Sequence, residues 1–102
     1  MQINITGHHV EVSPALRAYV TEKMQKLTRH FDQVKSINVI LNVEKLQQQA
    51  EATVYAGGRT IFATDTATDM YASIDGLIDK LDRQVRRHKD RITKHHQSRT
   101  ET

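Results

Sequence analysis

Cysteine is absent from the 102 residues, which removes both a disulfide framework and any cysteine-based zinc site. No run approaches the roughly 18 apolar residues that a membrane span requires. The opening Met1-Gln2-Ile3-Asn4-Ile5-Thr6 has neither a basic n-region nor an apolar stretch of signal-peptide length, so a cytosolic address without a membrane partner is expected. Aromatic side chains are scarce at 5%. No pair of them stands at ribonucleoprotein-motif spacing on the central strands, which argues against a reader of single-stranded sequence. Glycine-rich phosphate loops and G-x-S-x-G turns are missing, and no serine has a histidine and carboxylate in a recognisable order. The six histidines do not repair this. His8-His9 and His95-His96 are adjacent pairs that point in different directions, and His30 and His88 lack H-x-x-x-H or H-E-x-x-H spacing. Neither an enzyme nor a metal or other cofactor is expected.

What is present is charge, unevenly placed. Residues 80–99 carry eight basic side chains (Lys80, Arg83, Arg86, Arg87, Lys89, Arg91, Lys94, Arg99) against two acidic ones (Asp82, Asp90). The rest of the chain has seven basic and ten acidic residues, so the net charge of +3 and the pI near 9.4 come almost wholly from one segment. Such a concentration is the footprint of a polyanion-binding surface. Its bland alternative is a solvated helix end with cations near the C-terminus.

The apolar pattern gives a β-α-β-β-β-α order in a single domain. Ile3 and Ile5 alternate with polar neighbours over 2–6, predicting a strand. Ser13-Pro14 marks a helix start, and Leu16, Val20, Met24, Leu27 and Phe31 form one apolar stripe over about 14–30. Ile37, Val39, Leu41 and Val43 predict a strand over 35–44, with 45–49 as connection. Strands at 49–56 and 59–66 flank Gly57-Gly58, a two-residue hairpin loop that glycine's positive φ permits. That loop sets Val54 opposite Ile61 and Ala52 opposite Ala63 on the helix-covered face, leaving Thr53, Tyr55, Phe62 and Thr64 on the other. Asp69 caps a last helix reaching about 95, with 96–102 as a short flexible tail. The expected fold class is α+β: a four-stranded mixed sheet, two helices packed on one face, and strands one and two parallel through a right-handed crossover.

Projected at about 100° per residue, the last helix sorts into sectors. Lys80, Arg83, Arg87, Arg91 and Lys94 share one side of the apolar stripe. Asp75, Asp79 and Asp82 share the other, with Arg86 placed to pair with Asp82 at i+4. Tyr19, Lys23, Lys26 and His30 flank the stripe of the first helix. The projection leaves two arrangements open for these rows: one continuous patch, or one row in the interhelical groove and the other on an outer shoulder. Arginine forks and lysine point charges suit phosphate oxygens. About five contacts would give a log-affinity slope against log salt of roughly −3 to −5. Recognition through the backbone and shape of a folded RNA follows.

The segment Asp69-Met70-Tyr71-Ala72-Ser73-Ile74-Asp75-Gly76-Leu77-Ile78-Asp79-Lys80-Leu81-Asp82-Arg83-Gln84, continuing through Arg87-His88-Lys89, closely resembles the signature helix of the ribosome hibernation promoting factor family, which includes protein Y. Met1 to Gly7 and the helix start before Leu16-Arg17 are similar as well, and the resemblance extends over 1–95. It implies a β-α-β-β-β-α fold related in topology to double-stranded RNA-binding domains. It also implies binding to 16S rRNA of the 30S subunit at the mRNA and A- and P-site tRNA positions of idle ribosomes in stationary phase. Carried onto matching positions, the RNA-facing residues would be Lys23, Lys26, Lys80, Arg83, Arg87, Lys89, Arg91 and Lys94; Lys89 lies off the basic row. The shortness of the segment after the helix favours the subtype that promotes 70S dimerisation to 100S ribosomes alongside ribosome modulation factor, the protein being a monomer off the ribosome. The alternatives are a protein Y-type inhibitor that stabilises idle 70S ribosomes, a general structured-RNA-binding module, and a protein-interaction module using Tyr55 and Phe62.

Overall fold

The computed structural model describes residues 1–29, 31 and 33–86 with their side chains, and the backbone of 87–101. The elements are β1 (Gln2–His8), α1 (Pro14–Thr28), β2 (Val34–Glu44), β3 (Gln47–Ala56), β4 (Arg59–Ala67) and α2 (Met70–Glu101). They form the expected α+β arrangement, a four-stranded sheet in the order β1-β2-β3-β4. β1 runs parallel to β2, with Ile3 beside Ile37 and Ile5 beside Val39, while β2–β3 and β3–β4 are antiparallel. A crossover helix is what a parallel neighbour requires, and α1 supplies it.

Local chemistry fixes the boundaries. Ser13 has an extended backbone and its Oγ accepts from the Leu16 amide at 3.2 Å, while Pro14 occupies the first helical turn, where no donor is lost. Asp69 does the same for α2, its carboxylate accepting from the Ala72 amide at 3.3 Å. Gly57 and Gly58 have φ of 49° and 80°, the double positive φ of a primed two-residue turn. Val54 faces Ile61 and Ala52 faces Ala63, as the loop length predicts.

Some boundaries differ from expectation. Gln47, Gln48 and Gln49 belong to β3, pairing with Glu44, Val43 and Asn42, and the connection shrinks to Lys45-Leu46, with Lys45 at φ 56°. The glutamines read as loop because they are polar, yet an antiparallel strand with one solvated face accepts them. α1 ends at Thr28 rather than 30, and α2 extends to Glu101 rather than about 95. The division at 95/96 into domain and tail concerns side chains outside the described residues.

One face of the sheet carries both helices. Leu16, Val20, Met24, Leu27 and Phe31 of the first stripe are all buried against Ile37, Val39 and Leu41 of the sheet and Ile74, Leu77, Leu81 and Val85 of α2. Beneath α2 the sheet is paved with small residues (Ala50, Ala52, Ala56 and Ala63), which brings helix and strands close. Ser73 is the one buried polar residue among the described residues, and its hydroxyl lies within hydrogen-bond reach of the Gln48 and Asp69 carbonyls. The opposite face stays open, with Phe62 51% and Tyr55 40% exposed among amide and hydroxyl side chains such as Asn4, Asn38 and Thr53.

Candidate nucleic-acid interface

α2 lies over β3 and β4 with α1 along one flank, so its two polar sides meet different neighbours. The aspartate side faces α1. Tyr19 donates from its hydroxyl to Asp75 Oδ1 at 2.5 Å, and its ring meets Tyr71 edge-on with centroids 4.9 Å apart. Lys23 Nζ sits 5.3 Å from the Tyr19 ring centroid and 3.9 Å from Asp75 Oδ1. One turn further along, Lys26, Leu27, Ile78, Asp79, Asp82 and Arg86 line a shallow groove. The neighbours climb both helices together, from Tyr19 beside Tyr71 and Asp75 to Lys26 in one groove with Asp79 and Asp82, which makes the helices parallel. The hydrogen bond to the Asp75 carboxylate, then desolvation, then the negative charges of Asp75, Glu22 and Asp69 push the Tyr19 phenol up to about 12. Each of these disfavours a second negative charge beside the first.

The basic side of α2 faces away from α1, over the outer edge of the sheet. Lys80 Nζ lies 2.9 Å from Asp65 Oδ1 and donates to the Thr64 carbonyl at 2.8 Å. Gln84, one turn on, donates to the Phe62 carbonyl at 2.7 Å. At Gly76, one turn back, the helix backbone lies so near β4 that a Cβ would fall on the Asp65 carboxylate. Arg83 is exposed on the same flank and has no hydrogen-bond or ion-pair partner among the described residues.

The predicted binding residues therefore separate into two places. Lys23 and Lys26 lie in the interhelical groove, and Lys80 and Arg83 on the outer shoulder beside β4, so the described members of the two rows do not merge into one patch. Lys26 pairs with Glu22 on its own helix, at 3.6 Å, and the Lys23–Asp75 contact is long; exposed pairs of this kind contribute about 0.2–1 kcal/mol and give way easily. Lys80 is held more firmly, by an ion pair and a carbonyl together. Arg87, Lys89, Arg91 and Lys94 lie outside the residues whose side chains are described, as do His30 and His88. The predicted Arg86–Asp82 pair is present at 3.0 Å.

Sequence reasoning missed the Tyr19–Asp75–Lys23 cluster. Its signal was available: a Tyr-Lys-Lys row on one helix and a three-aspartate row on the other are complementary, and two rows of opposite sign on parallel neighbours meet where they can. The Lys80–Asp65 pair had no such signal, because strand and helix register are both needed to bring those residues together. Among the described residues no group of His, Asp and Glu could hold a metal ion, and no helix is long and apolar enough to cross a membrane.

Exposed cations of this kind suit phosphate oxygens, and comparison with known proteins shows the family to which the chain belongs. A ribosome hibernation promoting factor from Salmonella typhimurium is 50% identical over 95 residues, covering 93% of this chain and 100% of that protein. Its counterpart from Azotobacter vinelandii is 52% identical over 91 residues, covering 89% of this chain and 85% of that one. Among solved structures, a ribosomal subunit interface protein from Coxiella burnetii matches with a TM-score of 0.84 at 34% identity, covering 88% of this chain and 99% of that one. The N-terminal domain of Protein Y from Thermus thermophilus matches with a TM-score of 0.79 at 31% identity, covering 86% and 99%. With residues 3–93 matching the description "Sigma 54 modulation protein / S30EA ribosomal protein", the chain belongs to that family, the family of ribosome hibernation promoting factors.

Proposed function

We propose that this protein is a ribosome hibernation factor. It binds the 30S subunit at the mRNA and A- and P-site tRNA positions through 16S rRNA, blocks translation sterically, and promotes pairing of 70S ribosomes into inactive 100S particles in stationary phase. The observation that carries this reading is the family match over residues 3–93, at about half identity to proteins named for hibernation. The geometry supplies the means. The outer flank of α2 presents Arg83, exposed and without a partner among the described residues, and Arg87, Lys89, Arg91 and Lys94 follow it in sequence. Lys23 and Lys26, weakly paired on α1, are a second source of phosphate contacts. The action is occupation of tRNA sites by a preformed surface, with no covalent step. Ribosomes place the protein in the cytoplasm, with ribosome modulation factor as a partner on the same particles.

Sedimentation of a stationary-phase extract through a sucrose gradient tests the proposal. The protein is expected in the 30S, 70S and 100S fractions, and its deletion is expected to deplete the 100S peak. Absence from all three fractions overturns the reading. Presence on 70S with a 100S peak that grows on deletion assigns the protein Y-type role instead.

A further inference from the structure

β4 is an edge strand, so the carbonyls on its outer side lack a strand partner. Two of them, at Thr64 and Phe62, accept instead from Lys80 and Gln84 of α2. The spacing explains why this works. Residues two apart on a strand are about 6.6 Å apart, and residues four apart on a helix rise about 6 Å. A helix running antiparallel to the edge can therefore place one long polar side chain per turn over alternate carbonyls. Asp65 adds a second tie, because its carboxylate holds Lys80 Nζ while lying against Gly76. Asp65 is itself mostly covered, its side chain 23% exposed, so a lysine that left it for a phosphate would uncover a carboxylate beside that phosphate.

We propose that Lys80 is a positioning residue rather than a phosphate contact: with Gln84 it clamps α2 along the β4 edge, and Arg83 is the first cation of the RNA-facing row. The inference rests on the reading of this flank of α2 as the ribosome-binding surface. It reassigns one residue of the expected binding set and gives Asp65 and Gln84 a role. It also accounts for the edge of β4, whose outer carbonyls at these two positions are closed to a further strand.

The decisive variants are Lys80→Met, Asp65→Asn, their double mutant and Arg83→Gln, each measured for binding to purified 30S subunits across a salt series. Hydrogen exchange of α2 in the free protein is measured alongside. A clamp predicts that Lys80→Met and Asp65→Asn each weaken binding about 2- to 5-fold, that the double mutant is no worse than the singles, and that the salt slope is unchanged. Both also speed exchange in α2. Arg83→Gln lowers the slope by about 0.7–0.9, the loss of one phosphate contact, and leaves exchange alone. A direct phosphate contact at Lys80 predicts the opposite pattern: Lys80→Met lowers the slope, and Asp65→Asn, by releasing the lysine, tightens binding. That pattern overturns the proposal, as does unchanged exchange in both clamp variants. If exchange responds as expected but neither Arg83→Gln nor a clamp variant changes binding, the clamp stands as architecture, while its positioning role and this binding face both fall.

Discussion

The two flanks of α2 carry opposite charges and put them to opposite uses. On the flank facing α1, Asp75 takes the Tyr19 hydroxyl and lies near Lys23, so opposite charges from the two helices meet within the fold. On the flank above β4, only Lys80 is tied down, and Arg83 stands exposed and unpartnered among the described residues. A basic residue in this protein is thus not a binding residue by virtue of its charge. What separates the classes is whether the neighbouring element presents a carboxylate, and α1 and β4 present different things. The difference teaches that net charge of a segment overstates its available positive surface: of the two described members of this row, Lys80 is tied to Asp65 and Arg83 is not.

The strongest way to break this comparison is to reverse the free flank. Arg83→Glu, Arg87→Glu and Arg91→Glu together are expected to reduce 30S affinity by at least about 100-fold and the salt slope by roughly 2–3, with the thermal midpoint nearly unchanged. Binding is read by sedimentation at several salt concentrations. Equal binding by the triple variant would remove the distinction between the flanks.

Next in size is Gly76→Ala. Alanine favours a helix over glycine by about 1 kcal/mol. Here, however, the added Cβ meets the Asp65 carboxylate, and overpacking of that kind costs about 1–3 kcal/mol. The clash is expected to win and to lower the melting temperature, with Asp65→Ala restoring most of the loss. A Gly76→Ala variant that melts higher would show that Asp65 moves freely and is not held by Lys80.

Asp75→Ala sharpens the comparison from the other side. Removing this acceptor frees Tyr19 and Lys23, so stability falls by about 1 kcal/mol, the scale of one hydrogen bond. Affinity for 30S subunits is expected to hold or rise. A fall in affinity at unchanged folding would place the aspartate side against a partner instead.

The smallest effect appears only in alkali. The Tyr19 phenol is pushed from about 10 in an unfolded chain up to about 12. The native state therefore retains a proton that the unfolded chain gives up. The resulting stability is fully present below about pH 10 and is lost as pH rises from there toward 12. Urea midpoints measured from pH 8 to 11 should fall more steeply in the native protein than in Tyr19→Phe. Parallel curves would contradict the Tyr19–Asp75 bond.

Much of this architecture was legible in the chain. Period-two alternation located the strands, Ser13-Pro14 and Asp69 located the helix starts, and Gly57-Gly58 fixed the β3–β4 register to the residue. The start of β3 was not legible, because Gln47, Gln48 and Gln49 have loop-like polarity and are recruited by pairing to β2. Of the interface, the sorting of charge around α2 was visible from helical periodicity alone. Which cations remain free was not, since Lys80 is neutralised by a residue on another element, and only the packed sheet edge brings the two together. The identity of the RNA came from neither: charge points to phosphate, and family membership points to the ribosome.

The central claim is that the β4-side flank of α2 is the face laid against ribosomal RNA, and a cryo-EM map of the protein on 70S ribosomes tests it most directly. The expected map places the domain between the head and body of the small subunit, with Arg83 and the residues that follow it within contact distance of 16S rRNA phosphates and Lys80 still paired with Asp65. A map in which Tyr55 and Phe62 of the open sheet face the RNA, with the α2 flank turned to solvent, would contradict it.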